Sequence, residues 1–186
     1  MLQRTRAEQV LPVFKSFIEK YPDPRAISES SVENIKSSIR SLGLEKRAKS
    51  LKIMADQIVS RHEGKIPQNE KDLLSLHGVG NYIANAVLCH AYGHKVPTVD
   101  ANFARVIKRV FSLEAKEPLQ KDRNIWSFAQ RMLIHAGDNF RLINLAIIDL
   151  ASIICTPRDP KCPECPLNMI CDYHQQVVET RPHKNQ

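Results

Sequence analysis

The chain has 186 residues, of which 42% are hydrophobic and 25% charged, a composition typical of a globular protein with one domain or two small ones. It contains no run of eighteen apolar residues, and its first residues, MLQRTRAEQV, lack the apolar segment of a secretory signal, so neither a membrane span nor secretion is expected. The net charge of +7 favours a polyanionic partner, with nucleic acid ahead of an anionic membrane surface.

Helical periodicity dominates the first third of the chain. The first helix is predicted from an apolar stripe formed by Val10, Phe14, Phe17, Ile18 and Tyr21. A short second helix is expected to begin at Ser30 or Ser31 and to end at Gly43, and a longer third helix is expected to end at Gly64.

The stretch LLSLHGVGNYIANAVL predicts two helices joined by a turn that contains Gly78 and Gly80. Glycines permit backbone angles closed to other residues, and they let the amides that open the second helix approach a phosphate group directly. The turn is therefore either a grip on a nucleic-acid backbone or an ordinary connection between packed helices.

Asp100 follows a proline-containing loop and stands at the start of the predicted helix ANFARVIKRV. A carboxylate at this place is either a helix N-cap or a reactive anion that faces a cleft. Two further segments, DRNIWSFAQRMLIHAG and NFRLINLAIIDLASIIC, also have helical periodicity. The sequence therefore predicts an all-α protein.

Four of the five cysteines stand within seventeen residues, in the spacing C-x6-C-x2-C-x5-C. Clustered thiolates need a neutralising cation, and both Zn²⁺ and a [4Fe–4S] cluster accept four cysteines, so the spacing leaves both open. Between the first two cysteines, a proline-stiffened loop exposes Arg158 and Lys161, either for a phosphate contact or as a solvated surface. Cys89 lies on an apolar helix face and is expected in the core. The four candidate ligands are Cys155, Cys162, Cys165 and Cys171.

Taken in order, these motifs resemble the helix–hairpin–helix DNA glycosylases of the endonuclease III superfamily, most closely the thymine–guanine mismatch branch. LHGVGNYIANAVL is similar to the family's hairpin, with His77 in place of its usual proline, and VPTVDANFARVIKRVF is similar to the segment that bears its aspartate. The resemblance extends from Met1 to about Cys171. It implies that the four cysteines bind a [4Fe–4S] cluster and that Asp100 is a catalytic carboxylate.

The family fold implies two helical lobes with a DNA-binding cleft between them. Residues 21–112 are expected to form a six-helix barrel that carries the hairpin, and residues 1–20 and 113–186 a cluster-bearing helical lobe. Family members begin earlier, with a helix and an acidic residue. We therefore expect Met1 to be a shortened start that lacks this acid and leaves apolar surface exposed.

Tyr82 occupies a hairpin position where part of the family has a lysine. An amine there attacks the sugar and cleaves the strand through a Schiff base, which a tyrosine cannot form. The resemblance thus implies a monofunctional glycosylase without strong lyase activity at abasic sites. Asp100 is expected to stabilise an oxocarbenium-like sugar, with Tyr82 against the sugar or base and Asn102 hydrogen-bonded near the same site.

The expected substrate is double-stranded DNA with a mispaired or damaged base, which is flipped out of the stack. By resemblance, Gln3 and Leu44 are the wedge side chains that fill the resulting gap. The other expected DNA contacts are Arg47, His77, Gly78, Gly80, Asn81, Arg158 and Lys161.

A tyrosine at position 82 is similar to both the thymine–guanine mismatch glycosylases and some adenine glycosylases. The loop LGLEKRAKSL lacks the aromatic pair of the adenine branch, and the chain ends fifteen residues after Cys171. We therefore predict removal of thymine or uracil opposite guanine. The segment MLQRT resembles the adenine branch equally well, which keeps adenine opposite 8-oxoguanine or guanine as an alternative.

Two other classes of function compete with these. One is a non-catalytic DNA-binding module, and the other is a strand-nicking endonuclease that acts on oxidised pyrimidines, against which Tyr82 argues. The protein is expected to be a monomer in the cytoplasm, associated with the nucleoid, or in the nucleus.

Overall fold

The computed structural model describes Thr5 and residues 7–180, with the backbone alone for residues 177–180. Every regular element in these residues is helical, with ten α-helices and no strand, which confirms the predicted all-α class. The α-helices are α1 (Ala7–Lys20), α2 (Pro24–Glu29), α3 (Val32–Ile39), α4 (Ala48–His62), α5 (Glu70–Leu74), α6 (Asn81–His90), α7 (Ala101–Phe111), α8 (Arg123–His135), α9 (Phe140–Ile153) and α10 (Asp172–Thr180). Short 3₁₀ turns lie at Arg40–Leu42, Glu45–Arg47, Leu119–Lys121, Gly137–Asn139, Cys162–Glu164 and Asn168–Ile170.

The chain divides into two compact units, Met1–Ala84 and Asn85–Gln186, and the division falls within α6. The family resemblance implies different boundaries, with residues 21–112 in one lobe and residues 1–20 and 113–186 in the other. These boundaries stay a prediction. None of the described helices combines the length and apolar character needed to cross a membrane.

The first unit is built around α1, α3 and the start of α4. The α3 helix begins where the Ser31 hydroxyl accepts the backbone N–H of Asn34, one of the two caps predicted from the sequence. Phe14 and Ile18, both in the predicted stripe of α1, are each 45% exposed, so the apolar stripe is wider than the face that is buried. The buried core residues of this unit are Phe17, Tyr21, Ile35, Ile39 and Ala48.

The second unit packs α8, α9 and the cysteine loop around α7. Two cysteines of that loop, Cys155 and Cys171, are buried in the same cluster as the apolar face of α7. Cys89 is fully buried against Leu133 and Phe140, which confirms its predicted place in the core. The buried residues of α7 in the main cluster are Phe103, Ala104, Val106, Ile107 and Val110. The cysteine loop is therefore packed directly onto the helix that Asp100 caps.

Candidate active site and cysteine centre

Asp100 caps the N-terminus of α7 and is half-buried. Its Oδ1 accepts the backbone N–H of Phe103 at 2.7 Å, which confirms the N-cap, one of the two roles that the sequence left open. Its Oδ2 accepts a hydrogen bond from Asn102 Nδ2 at 3.2 Å. An ionised carboxylate offers about four acceptor sites, so it can cap a helix and still face a positive charge. The catalytic role of Asp100 stays a prediction.

A chain of hydrogen bonds connects this carboxylate to the end of α9. Arg105 Nη1 donates to Asn102 Oδ1 at 2.9 Å, while its Nε donates to the Cys155 carbonyl at 3.1 Å and its Nη2 to the Ala151 carbonyl at 3.0 Å. Burial lowers the pKa of the Arg105 guanidinium, and the neighbouring Cys155 opposes that shift. The position of Asn102 beside Asp100 is thus fixed by an arginine that also binds the first cysteine's backbone.

Arg109, one turn further along α7, holds the start of the cysteine loop. Its Nη1 donates to the Thr156 carbonyl at 2.7 Å and lies 3.4 Å from Cys155 Sγ, and its Nη2 donates to the Pro157 carbonyl at 2.9 Å. The guanidinium carbon lies 4.8 Å from the centre of the Tyr173 ring. One side chain therefore joins α7, the loop and α10.

The four loop cysteines line one small pocket that is partly open to solvent. Burial is the main cause that raises the pKa of the Cys162 thiol, and the nearby sulfurs of Cys171, Cys155 and Cys165 add to it. Within the described residues, no group of three or more His, Cys, Asp or Glu side chains forms a ready-made metal site. The donor set itself, four cysteines around one pocket, fits the chemistry of zinc or of a [4Fe–4S] cluster.

The glycine hairpin lies in the first unit, between α5 and α6. Gly78 has φ +79°, a left-handed conformation that favours glycine. A Cβ added at Gly78 or Gly80 would meet no other atom within 4 Å, so the turn faces open space. The backbone at the start of α6 is therefore open to a close approach by another molecule, as a phosphate contact requires.

His77, which stands where the family has a proline, fastens this hairpin to α4. Its backbone N–H donates to Gln57 Oε1 at 2.6 Å, and its ring Nε2 lies 3.3 Å from Ser50 Oγ. A proline has no N–H and could not make the first of these bonds. The exchange therefore adds a link between the hairpin and α4.

The remaining predicted DNA contacts lie at several places. Tyr82 and Asn81 are exposed on the first turn of α6, Arg47 is exposed before α4, and Arg158 and Lys161 are exposed on the cysteine loop. The predicted wedge Gln3 lies outside the described residues. The pairing of Tyr82 with Asp100 stays a prediction, since the two residues belong to separate units.

Leu44, the other predicted wedge, is half-buried and packs against the core of the first unit. It follows Gly43, whose φ of +66° ends the preceding 3₁₀ turn. Its wedge role also stays a prediction.

Sequence reasoning did not find Arg105, Arg109, Asn85 or Asn144 as supports of the site. The available signal for the two asparagines was a polar residue inside an apolar helix, in YIANAVLCH and in LINLAIIDL. The arginines stand four residues apart on α7, a spacing that puts both side chains on one helical face.

Comparison with known proteins identifies the family of the chain. A family model described as HhH-GPD superfamily base excision DNA repair protein matches residues 1–131. A thymine-DNA glycosylase of Aeropyrum pernix is 40% identical over 94% of this chain and 79% of its own length. A thymine/uracil-DNA glycosylase of Pyrobaculum aerophilum is 37% identical over 95% of this chain and 78% of its own. Among solved structures, a thermostable thymine-DNA glycosylase superposes with a TM-score of 0.83 at 36% identity, covering 94% of this chain and 80% of that one.

These similarities, together with the helical fold, define a DNA glycosylase of base excision repair. The chain belongs to the HhH-GPD superfamily of base excision DNA repair proteins.

Proposed function

We propose that this chain is a monofunctional DNA glycosylase that removes thymine or uracil mispaired with guanine by flipping the base and hydrolysing its N-glycosidic bond. The observation that carries the proposal is the half-buried Asp100 carboxylate, fixed at the N-terminus of α7 by bonds to both of its oxygens. The choice of substrate is supported by two relatives, 40% and 37% identical over most of the chain, that are named thymine-DNA glycosylase and thymine/uracil-DNA glycosylase.

In the proposed reaction, breaking the bond between C1′ and the base leaves positive charge on the sugar. Asp100 stabilises that charge and orients the attacking water, because a carboxylate held in a fixed position interacts favourably with the positive charge of an oxocarbenium-like sugar. Asn102 donates to Asp100 and keeps one of its oxygens in place. Tyr82 lies against the sugar or the departing base, and its phenol cannot form the Schiff base that leads to strand cleavage.

Duplex DNA with a mispaired base is the proposed partner. The open turn at Gly78 and Gly80 grips one backbone through amides, and the exposed Arg158 and Lys161 contact phosphates without reading sequence. Gln3 and Leu44 are proposed to fill the space that the flipped base leaves. A mispaired base is cheaper to unstack than a paired one, which supplies part of the selectivity.

The pocket lined by Cys155, Cys162, Cys165 and Cys171 is proposed to bind a [4Fe–4S] cluster. When bound, such a cluster would neutralise the four thiolates and cross-link the loop. Arg109 and Arg105 hold the start of the loop from α7, so the cations Arg158 and Lys161 are presented on a fixed scaffold.

The test is a single-turnover excision assay on duplexes that carry T·G, U·G or A·8-oxoguanine, with and without alkali. The proposal expects excision from T·G and U·G, with strand breaks that appear after alkali treatment alone. Preferred excision of adenine would move the protein to the adenine branch. Strand breaks without alkali would show lyase activity. Binding to duplex DNA with no preference for a mismatch and with no excision would show that the protein is a non-catalytic DNA-binding module.

A further inference from the structure

Side-chain amides hold the segment Lys95–Thr98, which leads directly into Asp100. Asn144 lies in the middle of α9 and is fully buried. Its Oδ1 accepts the backbone N–H of Thr98 at 3.0 Å, and its Nδ2 donates to the Val96 carbonyl at 3.1 Å. One side chain therefore satisfies a donor and an acceptor of this segment.

Two other helices contribute in the same way. Asn85 of α6, itself buried, donates its Nδ2 to the Pro97 carbonyl at 2.9 Å. Gln130 of α8 donates its Nε2 to the Lys95 carbonyl at 3.1 Å. Three successive backbone carbonyls thus each accept a hydrogen bond from an amide side chain. We call Asn85, Gln130 and Asn144 the amide clamp.

The placement of these amides suits the segment that they hold. A buried amide is costly unless it is hydrogen-bonded, and the bonds to this segment offset the cost of an asparagine at a buried position of α9. The segment belongs to neither a helix nor a strand, so its carbonyls have no partners in regular secondary structure and accept from side-chain amides instead. Pro97, Thr98 and Val99 are all buried, and α7 begins two residues later. A displacement of Thr98 would therefore be carried to Asp100.

We propose that Asn144, supported by Asn85, is a positioning residue that sets where the Asp100 carboxylate stands relative to the sugar. The inference rests on the proposed function, because it gives Asp100 the role of stabilising the positive charge. Asn144 forms its hydrogen bonds with the Lys95–Thr98 segment and with Cys89 Sγ, and it acts on Asp100 through the backbone. Displacing a reacting group by about 1 Å costs on the order of 100-fold in rate.

The experiment compares Asn144→Ala with wild-type full-length protein in two assays. The first is single-turnover excision at saturating enzyme on a U·G duplex. The second is the affinity for two abasic-site analogues opposite guanine, a cationic pyrrolidine and a neutral tetrahydrofuran. The ratio of these two affinities reports how well the negative charge of Asp100 is placed, independently of general DNA binding.

Asn144→Ala is expected to lower the excision rate about 100-fold and to reduce the preference for the cationic analogue, with unchanged affinity for the neutral one. The matched control is Asn124→Ala, which removes an amide bond to the Glu114 carbonyl on the exposed end of α8 and should change neither assay. Asn85→Ala loses one hydrogen bond to the Lys95–Thr98 segment instead of two. It should therefore lower the excision rate and the preference for the cationic analogue by smaller factors. It also serves as the test if Asn144→Ala does not fold.

An unchanged preference for the cationic analogue in a folded clamp variant would overturn the inference, as would equal weakening of both affinities. Failure of the proposed function looks different. In that case the wild-type protein excises neither base, and Asp100→Asn has the same analogue preference as wild type.

Discussion

Replacing Arg109 by leucine removes the side chain that ties α7 to the cysteine loop. The guanidinium donates to two backbone carbonyls, those of Thr156 and Pro157, and stacks on Tyr173. A hydrogen bond from a charged donor contributes about 1.5–3 kcal/mol to stability. The two hydrogen bonds of Arg109 are expected near the lower end of this range, because the loop is exposed at Pro157. The ring contact adds about 0.5–1 kcal/mol. Together the contacts are expected to contribute about 3–5 kcal/mol to the free energy of unfolding.

For a chain of this length, 1 kcal/mol shifts the melting temperature by about 2–4 °C, so Arg109→Leu should melt roughly 10 °C below wild type. The assay is thermal unfolding followed by circular dichroism at 222 nm. Arg131→Leu, which removes the same charge from an exposed position of α8, should stay within about 0.5 kcal/mol of wild type. Arg109→Lys should recover little, since an ammonium cannot bond both carbonyls in the planar arrangement. A melting temperature for Arg109→Leu within about 2 °C of wild type would refute the anchoring role.

Two further predictions concern charge. Arg158→Ala combined with Lys161→Ala should weaken DNA binding equally for matched and mispaired duplexes and reduce the slope of log affinity against log salt by about two, as fluorescence anisotropy over a salt series would measure; an unchanged slope would remove both residues from the interface. In the first unit, hydrogen bonds from Lys52 and Ser28 lower the pKa of Asp56 below its ordinary value of 3.8, and the bond from Lys52 has the larger effect. Asp56 therefore stabilises the folded protein fully at pH values above the pKa that it has in the unfolded chain. This stabilisation is lost as the pH falls through its pKa in the folded protein. Asp56→Asn should make the acid branch of a melting-temperature profile shallower, and an identical profile would contradict that assignment.

Local chemistry in the sequence was enough to predict several features of the site. The Asp100 cap and the Ser31 cap each join residues three positions apart, so capping preferences predict them. The burial of Cys89 is predicted from the apolar face of its own helix. The all-α class follows from the same periodicity.

The supports of the site depend on contacts between distant parts of the chain. Asn144 bonds a residue 46 positions earlier, and Arg109 bonds one 47 positions later. The sequence shows that a polar residue interrupts an apolar helix, but the partner is determined by how α9 packs, which local pattern does not encode. The His77 link to Gln57 is similar, because the residue exchange is visible in the sequence and its hydrogen-bond acceptor is not.

The catalytic role of Asp100 is tested most directly by the single-turnover excision rate of Asp100→Asn on a U·G duplex, measured beside the affinity of this variant for the same duplex. Asparagine is as good an N-cap as aspartate, so α7 should keep its start while the negative charge is lost. We expect a rate at least about 100-fold below wild type, with duplex affinity nearly unchanged. A wild-type rate in this folded variant would show that the carboxylate does no more than cap its helix.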